Sequence, residues 1–312
     1  MNNALVRVFA PATVANVAVG FDILGFAING PGDEVVVRRC ATPGLRITQI
    51  TGTGLKQLPL EAEKNTAGFS ALRLLEHLKA TSLGIEMEIH KKMPFGSGLG
   101  SSAASAAAGV FAVNELLGQP LSKVELLPFA VAGEQIADGA YHADNVGPSL
   151  LGGITFIRDN ATLDVHQLPV PAELFAAVVY PFVEILTKDA REVLSKQTSL
   201  AQCIQQTGNL GALLIGFYEN DYELIRRSLT DVIIEPQRAR LIPNFLEVKN
   251  SALRAGALGS SISGAGPSVF ALCRSRATAQ QAAQAMQAAF TAVDIQSEAF
   301  VSAINTDGAV RL

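Results

Sequence analysis

The residues best suited to chemistry form a glycine-serine run between positions 94 and 104. It reads Pro94-Phe95-Gly96-Ser97-Gly98-Leu99-Gly100-Ser101-Ser102-Ala103-Ala104. Glycines at every second position let the backbone turn tightly and approach a ligand closely. The two serines then begin an alanine-rich helix, whose first turn offers free amides and a partial positive charge. Because these features suit a phosphate group, the run predicts a polyphosphate site.

The run matches neither of the two common phosphate-loop patterns. It lacks the lysine of GxxxxGK[ST], and position 101 is Ser where GxGxxG requires glycine. A helix N-cap at Ser101 with a flexible approach is the simpler alternative. One cap does not need three alternating glycines, so a ligand loop is favoured.

Two further segments carry candidate residues. Residues 10–25 place Asn16 and Asp22 among small and apolar neighbours. Asp22 is there either a cap or turn residue or a paired charge that faces a ligand, and its spacing leaves both open. Residues 259–268 read GSSISGAGPS, which also fits a plain β-hairpin turn with small flanking residues.

The composition excludes several classes of protein. Only 17% of the 312 residues are charged, against about 25% in an average globular protein. Residues 93–114 and 255–273 carry no charge and are long enough to span a membrane. Their Gly-Ser backbone would leave amides unpaired in hydrocarbon, so we expect no membrane partner. A net charge of −4 without a basic block argues against nucleic acid.

The cysteines and the N-terminus indicate a cytoplasmic protein. Cys40, Cys203 and Cys273 are far apart, with no CxxC pattern or Cys/His cluster, so we expect reduced thiols and neither a zinc site nor a disulfide framework. The start MNNALVRVFAP lacks the order of a signal peptide and the bias of a transit peptide. The hydrophobic content of 49% excludes intrinsic disorder.

Hydrophobic periodicity predicts the elements that position these segments. An alternating strand over 85–91 precedes the glycine-serine run, and a helix over 101–117 follows it. Further strands are predicted at 5–9, 34–39, 45–50, 154–157, 175–180, 260–263, 268–272 and 298–304, and further helices at 66–78, 122–137, 188–196, 200–228 (one helix or two) and 278–290. Strands and helices mix without a regular βαβ rhythm, which favours an α+β fold. The polar stretch 158–171 marks the boundary between domains 1–165 and 166–312.

The three segments, in this order, resemble the signatures of the GHMP kinase superfamily. The resemblance spans nearly the whole chain and is strongest to the homoserine kinases within that superfamily. Four strings are similar to homoserine kinases in particular: GAYHADNV at 139–146, LTKDAR at 186–191, IEPQR at 234–238 and LIP at 241–243. A small departure is Ala18, where the family more often has Gly.

The resemblance implies a two-domain GHMP-kinase fold. Its N-terminal domain is expected to be like domain 2 of ribosomal protein S5, and its C-terminal domain ferredoxin-like. The implied activity is ATP-dependent phosphorylation of the L-homoserine side-chain hydroxyl, which gives O-phospho-L-homoserine for threonine biosynthesis. ATP as co-substrate, Mg²⁺, a cytoplasmic location and a homodimer are further expectations from the family.

The family's functional positions carry over residue by residue. Asn65 is expected near the nucleotide base, and the ATP phosphates along Pro94, Phe95, Gly96, Ser97, Gly98, Leu99, Gly100, Ser101, Ser102, Ala103 and Ala104. Ser102 and Glu134 are expected to hold Mg²⁺, with waters and phosphate oxygens as its other ligands. The homoserine site is expected to comprise Asn16, Asp22, His142, Asn145, Thr187, Arg191, Arg238 and Gly264.

The charges of homoserine match the charges of the residues that the resemblance implies. Homoserine is a zwitterion, so its site needs an anion for the ammonium and cations for the carboxylate. Asp22 can supply the first, and Arg191 and Arg238 can supply the second through forked hydrogen bonds. A mevalonate or sugar site would not use that combination.

Sugar and mevalonate kinases of the superfamily use a lysine in the first segment and an aspartate base. The corresponding residues here are Thr13 and Asn145, and neither acts as a base at neutral pH. Catalysis is therefore expected to rest on positioning, with Asn145 orienting the hydroxyl and Arg191 near the transferring phosphoryl group. Whether any residue removes the proton stays open.

Two other functions remain open at this stage. One is a superfamily kinase for a different acceptor, such as a mevalonate-pathway intermediate or shikimate. The other is a catalytically silent protein that senses a metabolite. Ser102 and Glu134 argue against the sensor, because a sensor has no need of a Mg²⁺ site.

Overall fold

The chain builds two β-sheets and a set of helices that pack on them. The computed structural model describes residues 5–52, 57–139 and 141–312. The strands are β1 (Leu5–Ala15), β2 (Leu24–Arg39), β3 (Gly44–Thr51), β4 (Gly84–His90), β5 (Ile154–Asp159), β6 (Asp164–Leu168), β7 (Phe175–Pro181), β8 (Gly259–Ile262), β9 (Val269–Cys273), β10 (Ser297–Ala303) and β11 (Val310–Arg311). The helices are α1 (Thr66–His77), α2 (Ser101–Leu116), α3 (Lys123–Asp138), α4 (Val146–Leu151), α5 (Thr187–Glu192), α6 (Leu200–Glu219), α7 (Tyr222–Ser228), α8 (Glu235–Arg238), α9 (Phe245–Arg254) and α10 (Arg276–Thr291).

The first sheet has the strand order β11-β1-β2-β4-β3, with β5 beside β2 and β6 beside β5. Its strands are antiparallel except for the β3–β4 pair. In β4, Ile85, Met87 and Ile89 are buried and alternate with partly exposed residues, as the sequence predicted. This strand ends just before the glycine-serine run and so fixes where that run begins.

Helix α2 is the central helix of the N-terminal half. It packs against α1, α3, β1 and β2, and nearly all of its residues are buried. Small side chains make this packing close, because a Cβ on Gly109 would lie 2.4 Å from the Ala67 carbonyl oxygen of α1. The first turn of α2, which follows the glycine-serine run, is therefore held on a rigid helix.

The second sheet has the order β10-β7-β9-β8 and is fully antiparallel. In chain order its strands lie fourth-first-third-second, which is the ferredoxin-like arrangement. Helices α9 and α10 pack on this sheet. The predicted α+β class is confirmed, and so is the ferredoxin-like C-terminal half.

The two halves share a continuous junction. The rings of Phe26 and Phe270 meet edge to face with their centroids 6.0 Å apart. The Asn305 amide donates to the Ala27 carbonyl oxygen at 2.8 Å, and the chain then returns to place β11 beside β1. Side chains from both halves can therefore converge on one site.

Several predicted elements need correction. The stretch 158–171, predicted to be a boundary, contains β6, which pairs with β5 of the first sheet. Residue 165 lies inside that strand, and the division into domains 1–165 and 166–312 stays a prediction. Strand β2 begins at Leu24 rather than at residue 34, and α5 ends at Glu192 rather than at residue 196.

The structure decides one alternative that the sequence left open and adds four elements that were not predicted. The region 200–228 forms two helices, because Asn220 adopts a left-handed φ of 55° that ends α6, and the Asp221 side chain caps α7. The short elements α4, α8, α9 and β11 were not predicted.

The structure also bears on the state of the cysteines and on membrane-spanning helices. All three cysteines are free, and burial raises the pKa of Cys273 to about 12, so that its thiol stays protonated. Among the described residues, every helix is too short or not apolar enough to cross a membrane.

The N-cap of α3 at Ser122, where the sequence predicts a helix to begin, generates a test of the fold. The Ser122 hydroxyl accepts from the Glu125 amide, and the Glu125 carboxylate accepts from the Ser122 amide at 2.8 Å, a complete capping box. We expect Ser122→Ala to lower the free energy of unfolding by about 1 kcal/mol in urea denaturation. Ser122→Asp should retain most of that stability, and an unchanged unfolding midpoint in Ser122→Ala would contradict the assignment.

Candidate active site

One cavity of about 340 Å³ gathers most of the predicted site residues from both halves of the chain. The predicted residues that line it are Asn16, Asp22, Asn65, Pro94, Phe95, Gly96, Ser97, Gly98, Gly100, Ser101, Ser102, Glu134, His142, Asn145, Thr187, Arg191, Arg238 and Gly264. Residues predicted for nucleotide and for acceptor thus share one space.

Three predicted nucleotide residues do not line the cavity. The side chains of Leu99, Ala103 and Ala104 are fully buried in the hydrophobic core. The Ala104 amide donates to the Gly100 carbonyl oxygen at 2.9 Å, so it is already used within α2. These residues support the run from beneath, and their contact with ATP stays a prediction.

The alternating glycines are required by contacts with the protein itself. Gly98 and Gly100 have φ values of 76° and 69°, in the left-handed region. A Cβ on Gly98 would lie 2.5 Å from the Ser263 carbonyl oxygen, and one on Gly100 would lie 2.2 Å from Thr13 Oγ1. The sequence predicted close approach to a ligand, and the structure adds close approach to both neighbouring segments.

The start of α2 differs from the simpler interpretation of the run. The N-cap residue is Gly100, and no side chain caps the helix. The Ser101 hydroxyl instead donates to Asp33 at 3.3 Å. Ser101 is therefore not the N-cap that the simpler interpretation requires.

The turn at 263–268 holds the glycine-serine run in place. It does connect two antiparallel strands, β8 and β9, as the hairpin interpretation of the segment allowed. Beyond that, the Ser263 hydroxyl donates to the Gly98 carbonyl oxygen at 2.7 Å, and the Ser268 amide donates to the Ser97 carbonyl oxygen at 3.1 Å. The C-terminal half thereby fixes the run.

The same turn organises the acceptor end of the cavity. The Gly264 carbonyl oxygen accepts from the Asn16 side-chain amide at 2.8 Å and from Arg238 at 3.0 Å. Arg238 is also held by the Ala190 carbonyl oxygen at 2.9 Å. Burial and the nearby Arg191 charge lower the pKa of Arg238 to about 10, which leaves its guanidinium charged at neutral pH.

Asp22 is a paired charge rather than a cap. Arg191 donates to both of its carboxylate oxygens, at 3.1 and 3.0 Å. Arg191 also lies 2.7 Å from His142 Nε2, and His142 Nδ1 lies 2.6 Å from Asp144. Since a guanidinium only donates, Nε2 accepts and Nδ1 carries the hydrogen that goes to Asp144.

Potential metal-ligand atoms of Asp22, His142 and Asp144 lie within 4.8 Å of one another. The Arg191 guanidinium already donates to two of the three residues. A bound cation would have to displace that positive charge, so this cluster serves ion pairing.

Phe21, which the sequence did not single out, contacts both arginines of the cavity. The guanidinium carbons of Arg191 and Arg238 lie 5.7 and 5.0 Å from its ring centroid. This cation–π geometry helps to hold two like charges close together. The available signal was its position as an aromatic residue directly before Asp22.

Asn65 has a structural role at the other end of the cavity. Its side-chain oxygen accepts from the Ala67 amide at 3.1 Å and caps α1, while its nitrogen donates to the Pro59 carbonyl oxygen at 3.1 Å. The polar atoms of this side chain are engaged within the chain. Its predicted place near the nucleotide base stays a prediction.

Ser102 and Glu134 meet in the cavity as the predicted metal pair. The Ser102 hydroxyl donates to a Glu134 carboxylate oxygen at 2.7 Å. One oxygen comes from the first turn of α2 and the other from α3, so both are held on packed helices. Neighbouring hard oxygen ligands beside a phosphate site suit Mg²⁺.

Thr13 and Asn145, which the family resemblance places at the lysine and aspartate positions of sugar and mevalonate kinases, lie next to each other in the structure. The Thr13 hydroxyl donates to Asn145 Oδ1 at 2.8 Å. That bond orients the Asn145 amide and leaves its nitrogen as a hydrogen-bond donor. Neither side chain can take a proton at neutral pH, as the sequence predicted.

Lys91, which the sequence did not single out, also lines the cavity. It lies shortly before the glycine-serine run and forms an ion pair with Asp33 of β2, which does not line the cavity. The known phosphate-loop patterns place a lysine only inside such a run, so they give no signal for a lysine that precedes it.

Comparison with known proteins agrees with this geometry. The family model for the GHMP kinases N terminal domain matches residues 65–153, and the model for the GHMP kinases C terminal matches residues 213–292. Homoserine kinase from Chlorobium phaeobacteroides is 50% identical, with 97% of this chain and 98% of that protein covered. Homoserine kinase from Chlorobaculum tepidum is 49% identical, with 96% of each covered.

Solved structures give the same relationship. The crystal structure of homoserine kinase from Cytophaga hutchinsonii matches with a TM-score of 0.97 and 53% identity over 100% of this chain and 98% of that one. The L. major mevalonate kinase matches with a TM-score of 0.70 at 15% identity over 95% of each chain, which shows a shared fold alone.

The chain therefore belongs to the GHMP kinases, and within them to the homoserine kinase family. Its fold is the predicted GHMP-kinase fold, and its class is that of the ATP-dependent small-molecule kinases.

The glycine contacts generate a test with a matched control. Gly96 has a left-handed φ of 61°, and an added Cβ there would lie 3.3 Å from Glu184 Cγ and 3.4 Å from the Ile185 carbonyl oxygen, whereas a Cβ on Gly100 would lie only 2.2 Å from Thr13 Oγ1. Both alanine variants bear backbone strain of about 1–2 kcal/mol. We expect Gly100→Ala to lower kcat at least about a hundredfold, because it displaces the Thr13–Asn145 pair, and Gly96→Ala to lower kcat less than about tenfold.

Steady-state kinetics on both variants, with circular dichroism to confirm folding, measure this difference. Equal losses of kcat would show that backbone strain, rather than the contact at Gly100, governs the site.

Proposed function

We propose that this protein transfers the γ-phosphoryl group of ATP to the side-chain hydroxyl of L-homoserine, as the name of its relatives implies. One observation carries the assignment of the acceptor. Two guanidinium groups, Arg191 and Arg238, and one carboxylate, Asp22, converge at one end of the cavity. That set complements the carboxylate and ammonium groups of an amino acid.

The ion pair between Arg191 and Asp22 prepares the site for a zwitterion. The side chains of Arg191 and Asp22 are 33% and 27% exposed, so solvent and ligand can reach them. An incoming amino acid brings one charge of each sign. Its carboxylate can take the guanidinium while its ammonium takes Asp22, and no buried charge is left uncompensated. A ligand with a carboxylate alone would leave Asp22 unmatched.

The phosphates are assigned to the glycine-serine run and the first turn of α2. Helix geometry leaves the first amides of α2 without partners inside the helix, and the helix dipole favours an anion there. Ser101 and Ser102 line the cavity at this point. The acceptor end and the phosphate end then meet at Gly100, beside Asn145.

Ser102 and Glu134 would hold Mg²⁺, because their side-chain oxygens are hard ligands that lie side by side in the cavity. The ion would neutralise phosphate charge and orient the phosphates. Glu134 is only 6% exposed, so the surrounding side chains restrict the orientation of its carboxylate. The hydrogen bond between the two side chains keeps their oxygens together before any ligand arrives.

Catalysis rests on positioning. We infer that the Asn145 amide nitrogen donates to the acceptor hydroxyl oxygen and that Thr13 fixes the orientation of that amide. Arg191 then offsets negative charge near the transferring phosphoryl group. No side-chain base is assigned to the hydroxyl: as the new O–P bond forms and the bond between the γ-phosphorus and the ADP oxygen breaks, the hydroxyl proton passes to an oxygen of the transferred phosphoryl group.

The product, O-phospho-L-homoserine, would serve threonine biosynthesis. We propose a cytoplasmic location, which the family resemblance implies and the three free cysteines support. A homodimer stays a prediction from the family resemblance.

A parallel assay separates the three candidate functions. ADP release from MgATP is measured with L-homoserine, mevalonate and shikimate as acceptors. We expect release with homoserine only, because only a zwitterion satisfies both Asp22 and the two arginines. Release with another acceptor alone would reassign the substrate, and no release with any acceptor would favour the metabolite sensor.

Substitution of Asp22 tests the acceptor site itself. We expect Asp22→Ala to raise the KM for homoserine about tenfold or more, because the ammonium loses a charge-assisted partner. Because Arg191 also loses its partner, kcat should fall as well, whereas the KM for ATP should change little. Asn145→Ala should act mainly on kcat, and Arg191→Ala should lower kcat strongly and also raise the KM for homoserine, because the substrate carboxylate loses a partner. An unchanged KM for homoserine in Asp22→Ala would overturn the assignment.

A further inference from the structure

A buried ion pair lies beneath the first turn of α2. The side chain of Asp33, in β2, is 0% exposed, and that of Lys91, directly after β4, is 3% exposed. Burying an unpaired charge is strongly unfavourable, so each of these groups needs the other. The pair joins the sheet to the helix that carries the phosphate site.

Each partner also binds the start of α2. Lys91 Nζ donates to the Ser101 carbonyl oxygen and to Ser105 Oγ, both at 2.7 Å. Asp33 accepts from Ser105 Oγ at 2.9 Å and from the Lys92 amide at 2.9 Å. Ser101 and Ser105 are one helical turn apart on the same side of α2. The ion pair therefore fixes the first turn of α2 on the side that faces the sheet.

The position of Lys91 follows from the strand before it. Its amide donates to the Thr51 carbonyl oxygen at 2.9 Å, which continues the pairing of β3 and β4 by one residue. The next residue, Lys92, is oriented differently. Its side chain pairs with Glu34 and is 50% exposed. Two neighbouring lysines thus have different environments.

The location of the pair gives it an electrostatic effect on the nucleotide. Lys91, Ser101 and Ser105 all line the cavity at its phosphate end. A carboxylate so close would repel phosphates in a poorly screened site, and Lys91 offsets it. The glycine-serine run has no lysine of its own, so the compensating cation comes from the strand before it.

We propose that Asp33 and Lys91 position the first turn of α2 and set nucleotide affinity as a matched pair of opposite charges. The inference rests on the proposed nucleotide site and deepens it. It identifies two positioning residues and states whether each one strengthens or weakens nucleotide binding. Lys91 favours phosphate binding, Asp33 opposes it, and together they keep the site close to neutral.

Calorimetric titration with MgATP tests these signs, on wild type, Lys91→Met, Asp33→Asn and the double variant. We expect Lys91→Met to weaken binding about tenfold or more, because it leaves the Asp33 carboxylate uncompensated. Asp33→Asn should tighten binding by about threefold. The double variant, again neutral, should return to within about threefold of wild type.

Lys92→Met is the matched control, since it removes the neighbouring lysine outside the cavity and should leave MgATP affinity unchanged. A purely structural pair would predict another pattern, in which both single variants weaken binding and the double variant does not recover it. That pattern, or weaker binding in Asp33→Asn alone, would overturn the proposal.

Two precautions keep the outcomes separate. Circular dichroism sets a temperature at which each variant is folded, and if Lys91→Met does not fold, Asp33→Asn and the double variant still give the sign. The KM for MgATP should follow the titrations while the KM for homoserine does not. Failure of the wild type to bind MgATP would instead count against the proposed function.

Discussion

The close contact at Gly100 is the constraint on which the rest of the site depends. At Gly100 the backbone of the glycine-serine run packs against the hydrogen-bonded side chains of Thr13 and Asn145, so a Cβ at this position would not fit. Gly98 makes a similar contact with the turn at 263–268. Because both contacts join the run to segments predicted to bind the acceptor, the proposed nucleotide and acceptor ends of the cavity are held at a fixed distance. Catalysis by positioning requires that rigidity.

Charge compensation is the second organising feature. The end of the cavity predicted to bind the acceptor holds the pair Asp22–Arg191, and the pair Asp33–Lys91 lies beneath the first turn of α2. The first pair is partly exposed, so under the proposed function each of its charges can pair with the opposite charge of a zwitterion. The second pair is buried, and we propose that it positions the helix and balances charge near the phosphates.

Sequence reasoning predicted the elements next to the site well, because β4 alternates buried and partly exposed residues and α2 has clear end signals, the glycine run before it and Gly118 and Pro120 after it. The acceptor residues come from the family resemblance and stay a prediction. The pairing of Asp22 with Arg191 could not be predicted, since it depends on how the two halves dock. Lys91 and Asp33 were missed for the same reason, because they are far apart in the chain and meet only across the sheet. Strand β6 was missed because its edge position leaves it polar and partly exposed.

The most direct test of the account is a structure with L-homoserine and a non-hydrolysable ATP analogue bound together. Positioning without a side-chain base predicts the homoserine hydroxyl oxygen within about 3.5 Å of the γ-phosphorus. It also predicts the Asn145 amide nitrogen about 3 Å from that oxygen, with no carboxylate in reach of the hydroxyl. A hydroxyl held by the carboxylate of Asp22 or Glu134 would contradict it, because that group could then remove the proton.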